Sequence, residues 1–179
     1  MSRGNLEQRI GVFIDIQNMY YSAKNLYNSK LDFARILKHV SGKRKLIRAI
    51  AYVVKAGETG EQGFFDALKM HGFEIKEKEI QVFYGGFKKG DWDVGITIDM
   101  IELAPKLDAE VLVSGDGDFC PLIQHLKHAM GCKVEIAAFG HSTSRKLIEE
   151  ADSFVDLDQD YKRFLLKKRK KDLTGSVDK

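Results

Sequence analysis

Val12-Phe13-Ile14-Asp15-Ile16-Gln17-Asn18 is an apolar run that meets a carboxylate and then, three residues on, an amide. A short continuous apolar run suits a strand buried on both faces, because a parallel sheet with helices on either side has no polar face. Ile10 to Ile16 is therefore expected as a strand, with Asp15 at its carboxyl end and Asn18 where the next helix should begin. Similar runs recur at Leu46 to Val54, Val111 to Val113 and Val134 to Phe139.

Between these runs the pattern turns helical, at Met19 to Tyr27, at Phe33 to Val40 behind the N-cap candidate Asp32, and at Glu61 to Met70, stopped near Gly72. Phe73 to Val82 alternates and is more polar, as an edge strand would be, and leads into a loop through Gly85, Gly86 and Gly90. Further helices are expected from about Asp91 to Leu103, from Phe119 to Met130 closed by Gly131, from Ser142 to Glu150, and from about Gln159 into the tail. Alternating strands and helices imply right-handed crossovers and an α/β fold, a three-layer α/β/α sandwich with a mostly parallel central sheet. Ligands of such folds bind beyond the carboxyl ends of the strands.

Two strand ends and one helix start then hold the chemistry. Asp15 and Asn18 follow the first strand; alone, each is the ordinary material of helix caps and turns. Val111-Leu112-Val113 runs into Ser114-Gly115-Asp116-Gly117-Asp118-Phe119, which offers a hydroxyl and two carboxylates ahead of a helix with Pro121 in its first turn. Asp118 could cap that helix, but this leaves Asp116 without a role. Lys88-Lys89-Gly90-Asp91-Trp92-Asp93 brings a basic loop to a helix whose first turn is acidic, as the helix dipole favours. Asp99 lies among Ile96, Ile98, Met100 and Ile101, a helix expected to be largely buried, so it needs a partner.

Carboxylates gathered in this way repel one another unless a cation neutralises them, and hard oxygen ligands favour Mg²⁺ or Mn²⁺ over zinc. Such ions can polarise a phosphodiester and lower the pKa of water, so no side-chain nucleophile is required. None of the GxSxG elbow, the G-x-x-x-x-G-K-[ST] phosphate loop, or a G-x-G-x-x-G after the first strand is present.

Composition narrows the classes further. The net charge of +3 divides into −3 over residues 1–161 and +6 over residues 162–179, with seven Lys/Arg inside 162–171, a cluster that adheres to polyanions. No apolar run reaches the eighteen or so residues of a membrane helix, so no membrane partner is expected, and residues 1–8 are polar rather than signal-like. Cys120 and Cys132 make no C-x-x-C pair, which fits a reducing cytoplasm, and His125 and His128 lack further ligands.

These residues resemble the NYN domain of the PIN-like nuclease superfamily, in the LabA/DUF88 branch. The resemblance rests on residues 12–18, on Lys89-Gly90-Asp91-Trp92-Asp93-Val94 with Asp99-Met100, and on residues 114–119, and covers roughly 9–158. It implies a PIN-like sandwich over 9–158, preceded by a polar segment over 1–8 and followed by a C-terminal helix and basic tail over 159–179. It also implies a metal-dependent ribonuclease site with Asp15, Asn18, Asp93, Asp116 and Asp118 as members. Asp99 matches a family acid as well. Ideal helix geometry sets it about 120° around and about 9 Å below Asp93, so it is expected to orient a neighbour or a water. Many relatives carry Ser between the two acids where this chain has Gly117.

The reading that results is a cytoplasmic Mg²⁺- or Mn²⁺-dependent ribonuclease. Asp15, Asp93, Asp116 and Asp118 would hold metal, and Asn18 and Ser114 would hold a water or a phosphate oxygen. Lys88, Lys89 and the tail residues Lys167, Lys168 and Arg169 would draw in the RNA backbone. A homo-oligomer is compatible with it. One rival is a non-catalytic metal- and RNA-binding regulatory module. A metal-dependent phosphatase is disfavoured, because the Asp-x-Asp of such enzymes is replaced by Asp15-Ile16-Gln17. Tyr20, Tyr21, Phe87 and Trp92 flank the acids and could stack on bases, although aromatics beside a helix start are more often core.

Overall fold

The first strand, β1 (Arg9–Asp15), is buried at every position after Arg9, so its side chains need apolar cover on both faces. That requirement organises the rest. The computed structural model describes residues 6–79, 81, 82, 88, 89 and 91–166. Along the chain come α1 (Ile16–Tyr27), α2 (Phe33–Ser41), β2 (Lys45–Lys55), α3 (Glu61–Met70), β3 (Glu74–Glu79), β4 (Gln81–Val82), β5 (Lys88–Lys89) and α4 (Asp93–Leu103). β6 (Ala109–Val113), α5 (Cys120–His128), β7 (Lys133–Ala138), α6 (Arg145–Glu150), β8 (Ser153–Asp156) and α7 (Tyr161–Phe164) follow.

Six strands form one sheet in the order β3-β2-β1-β6-β7-β8, and every pairing in it is parallel. Successive side chains alternate between its faces. Ile10, Val12 and Ile14 of β1, with Ala109, Val111 and Val113 of β6, pack beneath α1, α2 and α3. Phe13 and Leu112 point the other way, into a second apolar layer with Ile96 and Met100 of α4, Leu122, Ile123 and Leu126 of α5, and Leu147 of α6. The result is the expected three-layer α/β/α sandwich. From β1 the chain winds first to one side and then, after α4, crosses to the other. The gap between β1 and β6 is thus the switch point at which such sheets bind ligands.

Several elements differ in detail from the sequence reading. Ile16 leaves the strand and starts α1, because the Asp15 carboxylate accepts the N–H of Asn18 and caps the helix there. The polar edge segment ends at Glu79, and Gln81–Val82 pairs antiparallel with Lys88–Lys89 as a separate two-stranded sheet. The strand β8 has no counterpart in the reading; it is four residues long and only half-buried, so its apolar signal is weak. Helix α4 is buried on one face only: Ile96 and Met100 are fully enclosed, whereas Val94 and Ile98 are 70% and 49% exposed. Its uniformly apolar sequence therefore overstated its burial. The tail residues Lys167, Lys168 and Arg169 lie outside the described residues.

Candidate metal centre

The carboxyl ends of β1 and β6 face the start of α4, and local hydrogen bonds lock the first two of these segments together. Asp15 Oδ1 accepts from Asn18 N at 3.1 Å. Asn18 in turn uses its side-chain oxygen to accept the N–H of Gly115 at 3.0 Å, stapling the first turn of α1 to the loop after β6. In that loop Ser114 Oγ accepts from Asp116 N at 3.2 Å, and Asp116 Oδ1 accepts from Asp118 N at 2.9 Å. The turn is therefore capped by Asp116, not by Asp118, whose side chain is left to solvent.

Among the described residues, Asp93, Asp116 and Asp118 each present a carboxylate oxygen such that all three lie within 4.8 Å of one another. Oxygens around one octahedral ion at about 2.1 Å are at most roughly 4.2 Å apart, so small side-chain rotations bring this trio onto a shared cation. The donor set is carboxylate only, without His or Cys, and fits a hard ion such as Mg²⁺ or Mn²⁺. Asp15 stands beside the trio. Its carboxyl is pushed up to about 6, chiefly by burial and further by the negative charges of Asp93 and Asp116, against the stabilising N–H of Asn18. A cation here would relieve that repulsion. A cleft of about 340 Å³ is lined by Asp15, Asp93 and Asp116 and also by Asn18, Tyr21 and Trp92.

Ser114 does not fit its expected role. It is fully buried, with its hydroxyl committed to Asp116 N, so it shapes the acidic turn and has no surface for a phosphate. Asp99 is also outside the trio. One of its oxygens accepts the Tyr52 hydroxyl at 2.6 Å and the other accepts Lys76 Nζ at 2.7 Å. It thereby ties α4 to β2 and β3. Tyr52 and Lys76 were not legible as its partners, being 47 and 23 residues away in sequence.

The remaining contacts explain two glycines. A Cβ on Gly117 would lie 2.7 Å from Ser144 Oγ, so the space that a serine would take between the acids is occupied from α6's approach. A Cβ on Gly95 would lie 2.5 Å from the ring of Trp92, which folds back over α4. The Trp92 indole N–H donates to Val53 O at 2.8 Å, and its ring is 5.4 Å from that of Tyr52. Trp92 is thus a half-buried strut next to Asp93. Lys88 and Lys89 are placed by their backbone in β5, before α4.

A doubly wound parallel sheet that collects carboxylates at its switch point fits a PIN-like α/β domain. The chain belongs to the NYN domain family, whose model matches residues 9–158. It is 29% identical over 167 residues to the low amplitude and bright protein LabA of Synechococcus elongatus, covering 89% of this chain and 88% of that one. A crystal structure of a Vibrio parahaemolyticus protein of unknown function is 35% identical and superimposes with a TM-score of 0.82, over 92% of this chain and 99% of that one. The family lies in a nuclease-like superfamily whose domains typically use divalent metal, and no helix among the described residues is long and apolar enough to cross a membrane.

Proposed function

We propose that this protein is a Mg²⁺- or Mn²⁺-dependent ribonuclease that hydrolyses RNA phosphodiester bonds at its aspartate cluster. The observation that carries this reading is the convergence of Asp93, Asp116 and Asp118 within 4.8 Å at the switch point of a parallel sheet in an NYN-family chain. When bound, a divalent ion supplies Lewis acidity and neutralises charge on a phosphodiester. The protein's own residues do the rest. Asp93, Asp116 and Asp118 would hold the ion together with Asp15, whose buried carboxylate shares their negative field. Asn18 fixes the spacing between Asp15 and the acidic turn. Asp99 fixes α4.

Lys88, Lys89 and the basic tail are assigned to the RNA backbone, because the body is acidic and needs a cationic approach. Residues 9–158 form the catalytic domain in this reading, and the cytoplasm is its compartment. The test is a time course on end-labelled single-stranded RNA in Mg²⁺, Mn²⁺ and EDTA, with a folded Asp116→Asn variant. Asparagine keeps the acceptor that caps the turn while removing the charge. Cleavage should need metal and vanish in the variant. RNA binding without cleavage in either metal would replace the enzyme with a metal- and RNA-binding regulatory module.

A further inference from the structure

A second concavity adjoins the acidic cleft, and the proposed reaction leaves it without a use. It lies between α1, the end of β2 and the start of α3, with a volume of about 450 Å³, within the range of sites that take an organic group. Gln17 and Tyr21 line both hollows, so the two are adjacent. The wall contributed by α1 carries Gln17, Tyr20, Tyr21 and Lys24, spaced at i, i+3, i+4 and i+7, which places them on one face of the helix. Phe64 of α3 and Lys30 complete the lining that matters here.

Three of these side chains are aromatic and open to solvent: Tyr20, Tyr21 and Phe64 are 39%, 50% and 37% exposed. Large aromatic surface is usually spent in the core, and three such rings around one hollow are a recognition surface. Lys24 and Lys30 are exposed beside them, and Lys24 Nζ lies 5.9 Å from the centre of the Tyr20 ring. Two acids share the lining, Glu58 and Glu61, of which Glu61 accepts the N–H groups of Ala56 and Gly57. Aromatic faces interleaved with lysines are what an unpaired nucleotide needs, a ring for its base and a cation for its phosphate. A duplex hides its base faces and has nothing to offer the rings.

We infer that this groove is a binding subsite for an unpaired nucleotide flanking the phosphate held at the acidic cleft, with Tyr20 and Phe64 stacking on bases and Lys24 and Lys30 contacting the backbone. The assignment rests on the ribonuclease reading for the nature of the ligand. It makes the protein selective for single strands.

The test uses the full chain and a fluorescein-labelled oligouridylate of about ten nucleotides, read by fluorescence anisotropy in Ca²⁺ and in EDTA, against the same strand in a duplex. Tyr20→Ala should weaken binding about tenfold, Tyr20→Phe should leave it nearly intact, and Lys24→Ala should lower the salt slope by about one ion. Mn²⁺ binding should be the same in all of them. Tyr20→Ala binding that equals the parent's, a duplex bound as tightly as the single strand, or no binding by the parent would each overturn the inference. The two readings fail separately. If RNA is never cut but Tyr20→Ala weakens binding, the groove stands; if RNA is cut and the substitution changes neither binding nor KM, the groove falls alone.

Discussion

Glu110 allows the sharpest numerical prediction. It sits in β6, paired across the sheet with Gly11 and Val134, and is completely buried. Neither of its carboxylate oxygens has a hydrogen-bond partner among the described residues. Burial alone pushes its carboxyl from 4.5 up to about 8. The folded state therefore keeps a proton that the unfolded chain gives up. The stability this contributes is complete below about pH 4.5 and is lost as the pH rises toward about 8. At about 1.36 kcal/mol for each unit of pH, the loss over that interval is about 5 kcal/mol, an upper figure because local opening can relieve it. Glu110→Gln removes the titration at nearly constant shape. The variant should match the parent near pH 4.5 and exceed it by roughly 2–5 kcal/mol near pH 8. Urea unfolding followed by circular dichroism at several pH values measures both proteins, and their difference cancels every other titrating group. Parallel stability curves from about pH 5 to about pH 8 would refute the reasoning.

Four further outcomes follow from the site. Mn²⁺ at about a hundredfold excess over its Kd should stabilise the fold by about 2.7 kcal/mol, or roughly 5–10 °C in Tm, and this gain should be absent in Asp116→Asn. Because Asp15 holds its proton up to about 6, cation and proton compete, and Mn²⁺ affinity measured by calorimetry should fall as the pH drops below about 6 and level off above it. Gly95→Ala would ordinarily gain helix stability, but the Trp92 ring at 2.5 Å reverses the sign; a loss of about 1–3 kcal/mol and a shifted emission of this single tryptophan are expected. Tyr52→Phe removes a hydrogen bond to a charged acceptor and should cost about 1.5–3 kcal/mol in urea unfolding, while an unchanged midpoint would show that Asp99 does not anchor α4 through Tyr52.

By itself the sequence determined the layer order and the parallel character of the sheet. Apolar runs at Val12–Ile14 and Val111–Val113 report burial on both faces, and helical periodicity between them forces parallel crossovers, because these are properties of neighbouring residues. It also marked the acids that lie at strand ends, since the strand-to-loop step is visible in the pattern. What only the tertiary structure decided is how those acids divide. Asp93 meets Asp116 and Asp118 across the switch point, whereas Asp99, six residues further along α4, turns to Tyr52 and Lys76. Ser114 looks like a surface ligand in sequence and is enclosed in fact. The short edge strand β8 and the one-sided burial of α4 were likewise invisible. The physical reason is common to all of these. Local pattern records how much surface a residue loses, but which groups meet depends on crossovers that bring together side chains from distant parts of the chain, and no spacing along the chain encodes that distance.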